Sequence, residues 1–197
     1  MTTGYGDYTV VVKDLHYSVD DVKILKEINL CVGRGELVGL IGPNGAGKTT
    51  LLKCIGGIYS YNKGEIYVSD LNIRRTDCKK VAREVSLMHQ NTHVNFPFPA
   101  IDVVLTGRYP YLKRFETESS EDYRIARKHM NYTDTLKFES KPVTNMSGGE
   151  RQRVLFAKVL AQETDLILLD EPTASLDISY EEQIFKYCSE LVENGKT

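Results

Sequence analysis

Gly42-Pro43-Asn44-Gly45-Ala46-Gly47-Lys48-Thr49-Thr50 decides the fold, because every position of a phosphate-cradling loop is filled there. The apolar run Leu37-Val38-Gly39-Leu40-Ile41 before it reads as a buried strand, and Leu51-Leu52-Lys53-Cys54-Ile55 after it reads as a helix. That strand–loop–helix context separates a working P-loop from a chance match. Glycines at 42, 45 and 47 are expected to let backbone N–H groups turn inward and form an anion-binding nest. The helix that follows points its positive end at the same place. Lys48 is set to reach the β- and γ-phosphates, and Thr49 to offer its hydroxyl to Mg²⁺. The bland alternative is a glycine-rich turn with no ligand. From average glycine usage the bare pattern arises by chance in roughly one chain in a hundred. A nucleoside triphosphate is therefore the expected ligand.

Composition narrows the class. The chain has 197 residues, enough to bury a core in one or two lobes. A formal charge of −2 and a pI near 6.1 give no electrostatic reason to expect nucleic acid. The 41% hydrophobic and 26% charged shares are globular values. No apolar run approaches the roughly eighteen residues needed to cross a bilayer. Met1-Thr2-Thr3-Gly4-Tyr5-Gly6-Asp7 lacks the basic-then-apolar pattern of a signal peptide. Cys31, Cys54, Cys78 and Cys188 are widely spaced with no CxxC pair, which suits reduced thiols in a cytosolic protein. His16, His89, His93 and His129 lack ligand spacing and read as structural.

Along the chain, residues 8–41 look β-rich, with Val10, Val12 and Leu15 followed by Ile24-Leu25 and residues 28–32. Gly56-Gly57 should end the helix after the loop, and Gly64-Glu65-Ile66-Tyr67-Val68 should begin another short strand. Val85-Ser86-Leu87-Met88 reads as a strand leading to Gln90. Pro97 and Pro99 then break the pattern, and a more helical, charged stretch runs to about Val143. Within it, residues 118–130 fit a surface helix opened by Ser119-Ser120. Residues 149–162 read as a helix and 165–170 as a buried strand. The expected outline is an α/β core interrupted by a helical insertion near residues 97–145.

Leu166-Ile167-Leu168-Leu169-Asp170-Glu171 is the second chemical constellation. Four apolar residues suit a parallel strand buried on both faces. Two carboxylates at its C-terminal end lie where α/β sheets place ligands. A P-loop enzyme needs one acid to hold Mg²⁺ and one to polarise the attacking water; Asp170 suits the first role and Glu171 the second. A solvated Asp-Glu turn is common when seen alone. Beside a complete P-loop that reading falls to about one in ten.

Asn145-Met146-Ser147-Gly148-Gly149-Glu150-Arg151-Gln152-Arg153 resembles the signature motif of ABC-type ATPases, usually Leu-Ser-Gly-Gly-Gln. Physically, Ser147 and the Gly148-Gly149 backbone open a helix and so make a second anion site. An ordinary Ser-capped helix with Glu150 in its first turn explains Ser147 but not the paired glycines. The resemblance implies a head-to-tail dimer in which Ser147, Gly148, Gly149 and Glu150 of one chain close on the nucleotide of the other. It extends over nearly the whole chain in the family's order. Tyr17 resembles the aromatic residue that stacks on adenine, although alone it reads as a core tyrosine. Gln90 is similar to the glutamine that touches Mg²⁺ and senses the transporter. Ala174-Ser175-Leu176-Asp177 looks like the D-loop, whose aspartate, Asp177 here, lines the dimer seam. Departures are small: Met146 for Leu, Glu150 for Gln, and Thr49 for the commoner Ser.

The fold so implied is α/β: a RecA-like P-loop NTPase core, an N-terminal antiparallel β subdomain and a helical insertion. Residues 1–96 would carry the β subdomain and P-loop, 97–146 the helical subdomain, and 147–197 the signature helix, the Walker B strand and the D-loop. The family's switch histidine follows a further strand, yet no histidine follows His129, and Glu193-Asn194-Gly195-Lys196-Thr197 resembles the turn before that strand. The expectation is a chain shortened before its C-terminal strands and, as such, inactive. Phe96-Pro97-Phe98-Pro99 and Asp102-Val103-Val104-Leu105-Thr106-Gly107-Arg108-Tyr109-Pro110-Tyr111 resemble importers of ferric siderophores, haem and cobalamin, while zinc and manganese importers share Gly107-Arg108-Tyr109. This implies an ATPase peripheral to the cytoplasmic face of a membrane. Its expected partners are ATP with Mg²⁺, a second copy of itself, a polytopic permease subunit and a substrate-binding protein, but not nucleic acid. A soluble ABC ATPase of translation would carry two cassettes, and a DNA-repair type a long coiled-coil insertion. A simple P-loop kinase or GTPase would lack Ser147-Gly148-Gly149-Glu150, and GxxGxGK excludes the GxGxxG of a dinucleotide-binding Rossmann protein.

Overall fold

Two long strands, β1 (Tyr8–Val19) and β2 (Val22–Gly33), pair antiparallel across a tight turn at Asp20, whose φ of 48° is one that aspartate tolerates. The computed structural model describes residues 6–89, 96–172 and 178–197. Their contacts fall into two compact units. The first holds the described residues up to Leu87 with Thr164–Asp170 and Phe185–Thr197; the second holds those of Met88–Glu163 and Glu171–Ile184.

In the first unit, β3 (Lys63–Val68) pairs with the other edge of β1, and the two-residue β4 (Leu71–Asn72) folds back on β3, giving the order β2-β1-β3-β4. One face of this antiparallel sheet is apolar. Val10, Val12, Leu15, Leu25, Ile66 and Val68 are buried against Leu51, Leu52, Cys54 and Ile55 of α1 (Lys48–Ile55). Each such side chain stabilises the unit by about 1.5–3 kcal/mol relative to exposure. The short α2 (Cys78–Glu84), capped by Asp77, leads into β5 (Val85–Met88), which pairs with β6 (Leu166–Leu169).

Two expectations need correction here. Residues 37–41 carry a strand's sequence pattern but form no ladder among the described residues, and they are exposed, with Leu37 at 57% and Ile41 at 99%. A strand buried on both faces needs a hydrogen-bonded neighbour to satisfy its backbone, and none pairs with this stretch. Nor is β6 buried on both faces: Leu166 and Leu168 are buried, whereas Ile167 and Leu169 are half-exposed. On the edge away from β5, β6 meets the main chain of Thr197, whose carbonyl accepts from Ile167 N at 2.9 Å. An apolar cavity of about 90 Å³ lies between Val38, Leu40, Leu52, Ile55 and the β6 leucines. Ile167 and Leu169 instead line a second, shallow apolar cleft with Leu37, Cys188, Leu191 and Val192.

The second unit is helical. α3 (Ala100–Leu105), α4 (Ser120–Tyr132) and α5 (Gly148–Ala161) pack on one another around Phe156, Val104, Met130 and Val154, all fully buried. Ser119 caps α4 in a reciprocal box with Asp122, so the expected helix at 118–130 begins with that exchange. Between α3 and α4, Gly107 lies so close to α5 that a β-carbon there would collide with the Lys158 carbonyl. Arg108 then turns inward, donating to Asp122 at 3.0 Å, to the Ala161 carbonyl at 2.9 Å and to Glu163 at 3.1 Å, with its guanidinium over the Tyr111 ring. Gly107 and Arg108 together pin this turn onto the C-terminal half of α5. The last helix, α6, spans Ile178–Glu193.

Candidate nucleotide site

The loop before α1 has the backbone its glycines require. Gly45 and Gly47 have φ of +80° and +88°. Gly47 is constrained twice over, since a β-carbon there would lie 2.9 Å from Leu25 Cδ2 on β2. Gly42 differs from the expectation: a β-carbon would fit there at an ordinary 3.6 Å from Ala46. The loop closes on itself through Ala46 N to Pro43 O at 3.2 Å, and Leu51 N bonds Gly47 O at 2.8 Å to start the helix. Gly47 offers no side-chain cap, so the first N–H groups of α1 face the loop.

Lys48 Nζ donates to the carbonyls of Gly42 at 2.7 Å and Pro43 at 2.9 Å. The ammonium is therefore held inside the loop by neutral acceptors that an anion can replace with stronger, charge-assisted bonds. Thr49 Oγ1 donates to Asp170 Oδ1 at 2.9 Å, joining the first turn of α1 to the end of β6 across 121 residues of sequence. Asp170 is 4% exposed, and no ion pair reaches it among the described residues. A buried carboxylate beside a hydroxyl is an oxygen pair suited to a hard divalent cation such as Mg²⁺. Such an ion would complete the charge balance of Asp170, so these residues fit the group.

The next residue, Glu171, is exposed and sits at φ 46°. A non-glycine residue in this region costs about 1–3 kcal/mol, and such outliers concentrate at functional positions. Tyr17 on β1 is half-buried, pairs with Leu25 of β2 in the ladder, and stacks on Tyr59 with centroids 5.5 Å apart and planes 8° from parallel. On the buried face of α1, burial pushes the Cys54 thiol up to about 11, which makes it an unreactive core residue.

Within the helical unit, Ser147 caps α5. Its hydroxyl accepts from Glu150 N at 3.2 Å, and Glu150 Oε2 accepts from Ser147 N at 2.8 Å and from Lys141 Nζ at 3.1 Å. The Ser147 N–H first, and Lys141 second, hold the Glu150 carboxyl below its ordinary range. Capping thus accounts for Ser147 and Glu150 structurally. It does not account for Gly149, where a β-carbon would meet nothing within 4 Å. Gln90 and residues 174–177, Asp177 included, lie outside the described residues. Sequence reasoning missed Tyr59, Lys53 and Lys141, for none stands in a spaced motif and each matters only through a partner brought close by folding.

Comparison with known proteins supplies the remaining context. The profile of the ABC transporter family matches residues 25–174. A cobalamin import ATP-binding protein of Halobacterium salinarum is 35% identical over 186 residues, which cover 94% of this chain and 46% of that protein. The chain thus spans about half the length of that relative. A manganese transport system ATP-binding protein of Halalkalibacterium halodurans is 33% identical over 190 residues, covering 95% of this chain and 74% of the relative. Among solved structures, the dimer of an ATP-binding cassette in a post-hydrolysis state, bound to ADP and Pi, superposes with a TM-score of 0.81 at 27% identity. It matches 95% of this chain and 85% of that one.

Proposed function

Because the chain belongs to the ABC transporter family, we propose that it is the ATP-binding subunit of an importer. In this reading two copies meet head to tail, bind two Mg-ATP, and use closure and hydrolysis to drive a membrane permease through alternating access. The observation that carries it is the Thr49–Asp170 bond at 2.9 Å, which assembles P-loop and strand-end carboxylate into one site.

Each residue then has a task. On nucleotide entry Lys48 exchanges the Gly42 and Pro43 carbonyls for β- and γ-phosphate oxygens, and the N–H groups from Gly42 to Thr50, with Pro43, Asn44 and Ala46 shaping the turn, surround the phosphates. Mg²⁺ would be held by Thr49 and Asp170, with Gln90, and would supply charge neutralisation at the phosphates. Glu171 accepts the proton of the attacking water. Tyr17 offers a ring to adenine. Ser147, Gly148 and Gly149 of the second copy approach the γ-phosphate with the N-terminal end of α5, and the open space over Gly149 supports that close approach. Glu150 enters this approach already compensated by Lys141. Asp177 lines the seam.

We take the cargo to be an iron siderophore, haem or cobalamin, on Phe96-Pro97-Phe98-Pro99 with the wider stretch 102–111 and on the cobalamin import relative. The manganese transport relative favours a transition-metal importer as the second reading. Among the described residues no helix is long and apolar enough to cross a membrane, which suits an ATPase docked on the cytoplasmic face of its permease, with a binding protein delivering cargo. Lys48→Ala tests the core of the proposal. Removing a charge-assisted contact worth about 1.5–3 kcal/mol should weaken Mg-ATP binding at least about tenfold by titration. Unchanged affinity would refute the cradle.

A further inference from the structure

Tyr59 belongs to none of the motifs above, yet it connects two of them. It follows α1 by four residues, is half-buried, and lies parallel to Tyr17 with ring centroids 5.5 Å apart. The phosphate-loop helix also reaches this ring: Lys53, on the same helix as Lys48, places its ammonium 5.1 Å from the Tyr59 centroid and donates to the Tyr59 hydroxyl at 3.4 Å. Tyr17 is in turn opposite Leu25 in the ladder, and Leu25 Cδ2 is the atom that Gly47 leaves room for. A closed circuit results, running from phosphate loop to β2, across to Tyr17, through Tyr59 and Lys53, and back to α1.

We propose that Tyr59 is a positioning residue for base recognition. It backs Tyr17, fixes the plane of that ring relative to the phosphate loop, and leaves only the opposite face of Tyr17 for a purine base to stack on. This rests on the nucleotide reading above and adds to it a second aromatic residue and a defined face. The physical basis is that a stacked ring contributes most when its orientation is set before the ligand arrives, because no ordering cost then falls on binding. A parallel aromatic neighbour on one face and a lysine anchor behind it supply that order. The prediction is selective: loss of Tyr59 should be felt by the base and not by the phosphates.

The experiment compares Mg-ATP with inorganic tripolyphosphate, which carries the phosphates and no base, by calorimetric titration of the wild-type chain, Tyr59→Leu, Tyr59→Phe and Lys53→Met. Wild type should bind ATP more tightly than tripolyphosphate. Tyr59→Leu should weaken ATP by about three- to tenfold while leaving tripolyphosphate within about twofold. Tyr59→Phe, which keeps the ring, should stay close to wild type. Lys53→Met should lie between them on ATP. The sequence contains no tryptophan, so Tyr59→Trp adds a clean reporter whose emission should change with ATP and not with tripolyphosphate. Equal weakening of both ligands by Tyr59→Leu would make Tyr59 a packing residue and overturn the proposal; so would no weakening of ATP in a wild type that prefers ATP. A wild type that binds tripolyphosphate as tightly as ATP would instead overturn base stacking by Tyr17 itself.

Discussion

Arg108→Met should be among the most destabilising substitutions in the helical unit. Arg108 is 6% exposed and its partner Asp122 is 7% exposed. Three donor contacts would vanish together, to Asp122 at 3.0 Å, the Ala161 carbonyl at 2.9 Å and Glu163 at 3.1 Å. The methionine replaces much of the apolar stem, so the loss is chiefly electrostatic. Breaking a buried ion pair costs about 3–5 kcal/mol, and because Asp122 keeps its two Ser119 bonds the lower end of that range is expected. Glu163 is 39% exposed, so solvent screens its share and it adds little. Burial pushes the Asp122 carboxyl up, but Ser119 and then Arg108 outweigh it and hold the group below its ordinary value. A depressed carboxylate contributes stability that is present above its unfolded value and lost as pH falls through the folded one. The gap between wild type and Arg108→Met should therefore be largest near neutrality and shrink as the solution is acidified and Asp122, without its guanidinium, takes up a proton. Urea unfolding followed by circular dichroism at pH 7 and pH 4 measures both gaps. Asp122→Leu added to Arg108→Met should recover part of the loss, because the double variant buries no unpaired charge. A deficit under about 1 kcal/mol, or one independent of pH and unrelieved by Asp122→Leu, would refute the argument.

Other outcomes follow from the same geometry. In a full-length chain, Glu171→Gln should keep ATP affinity, nearly abolish turnover and accumulate an ATP-bound dimer on size exclusion; near-normal turnover would move the base role elsewhere. Gly149→Ala should leave the melting temperature unchanged or slightly higher, since its β-carbon meets nothing and alanine lowers the entropy of the unfolded chain by about 0.4–1 kcal/mol. In a full-length chain the same variant should lose ATPase activity under the proposed sandwich, in which a second copy approaches through that open space. Gly47→Ala should lower both stability and ATP binding, given φ of +88° and a contact of 2.9 Å with Leu25. Mixing Lys48→Ala with Ser147→Arg chains should restore activity that neither variant shows alone, since hybrid dimers keep one undamaged site. No recovery with dimerisation verified would argue against the sandwich.

What the sequence made legible is what physical chemistry writes locally. A glycine-rich loop announces itself because only glycine adopts the φ found at 45 and 47. Ser147 and Glu150 three residues apart announce a helix start because the capping box is a local exchange. The apolar, β-branched residues of β1 and the alternation in β3 announce strands. Where burial depends on neighbours, the same reasoning misleads. Residues 37–41 and Leu166–Leu169 share an apolar pattern, yet the first has no strand partner among the described residues and the second buries only alternate side chains. An apolar run states a preference, and a strand exists only once its backbone finds a ladder. The least legible features are pairs: Thr49 with Asp170 across 121 residues, Arg108 with Ala161 across 53, and Tyr17 with Tyr59. Motif reading finds Thr49 and Asp170 separately because each stands in its own pattern. Tyr59 stands in none, and its role can be inferred only from the ring it faces and the lysine behind it. Residues of that kind tie the separately legible motifs into a single site, so they are where substitution should alter ligand selectivity without touching any recognised motif.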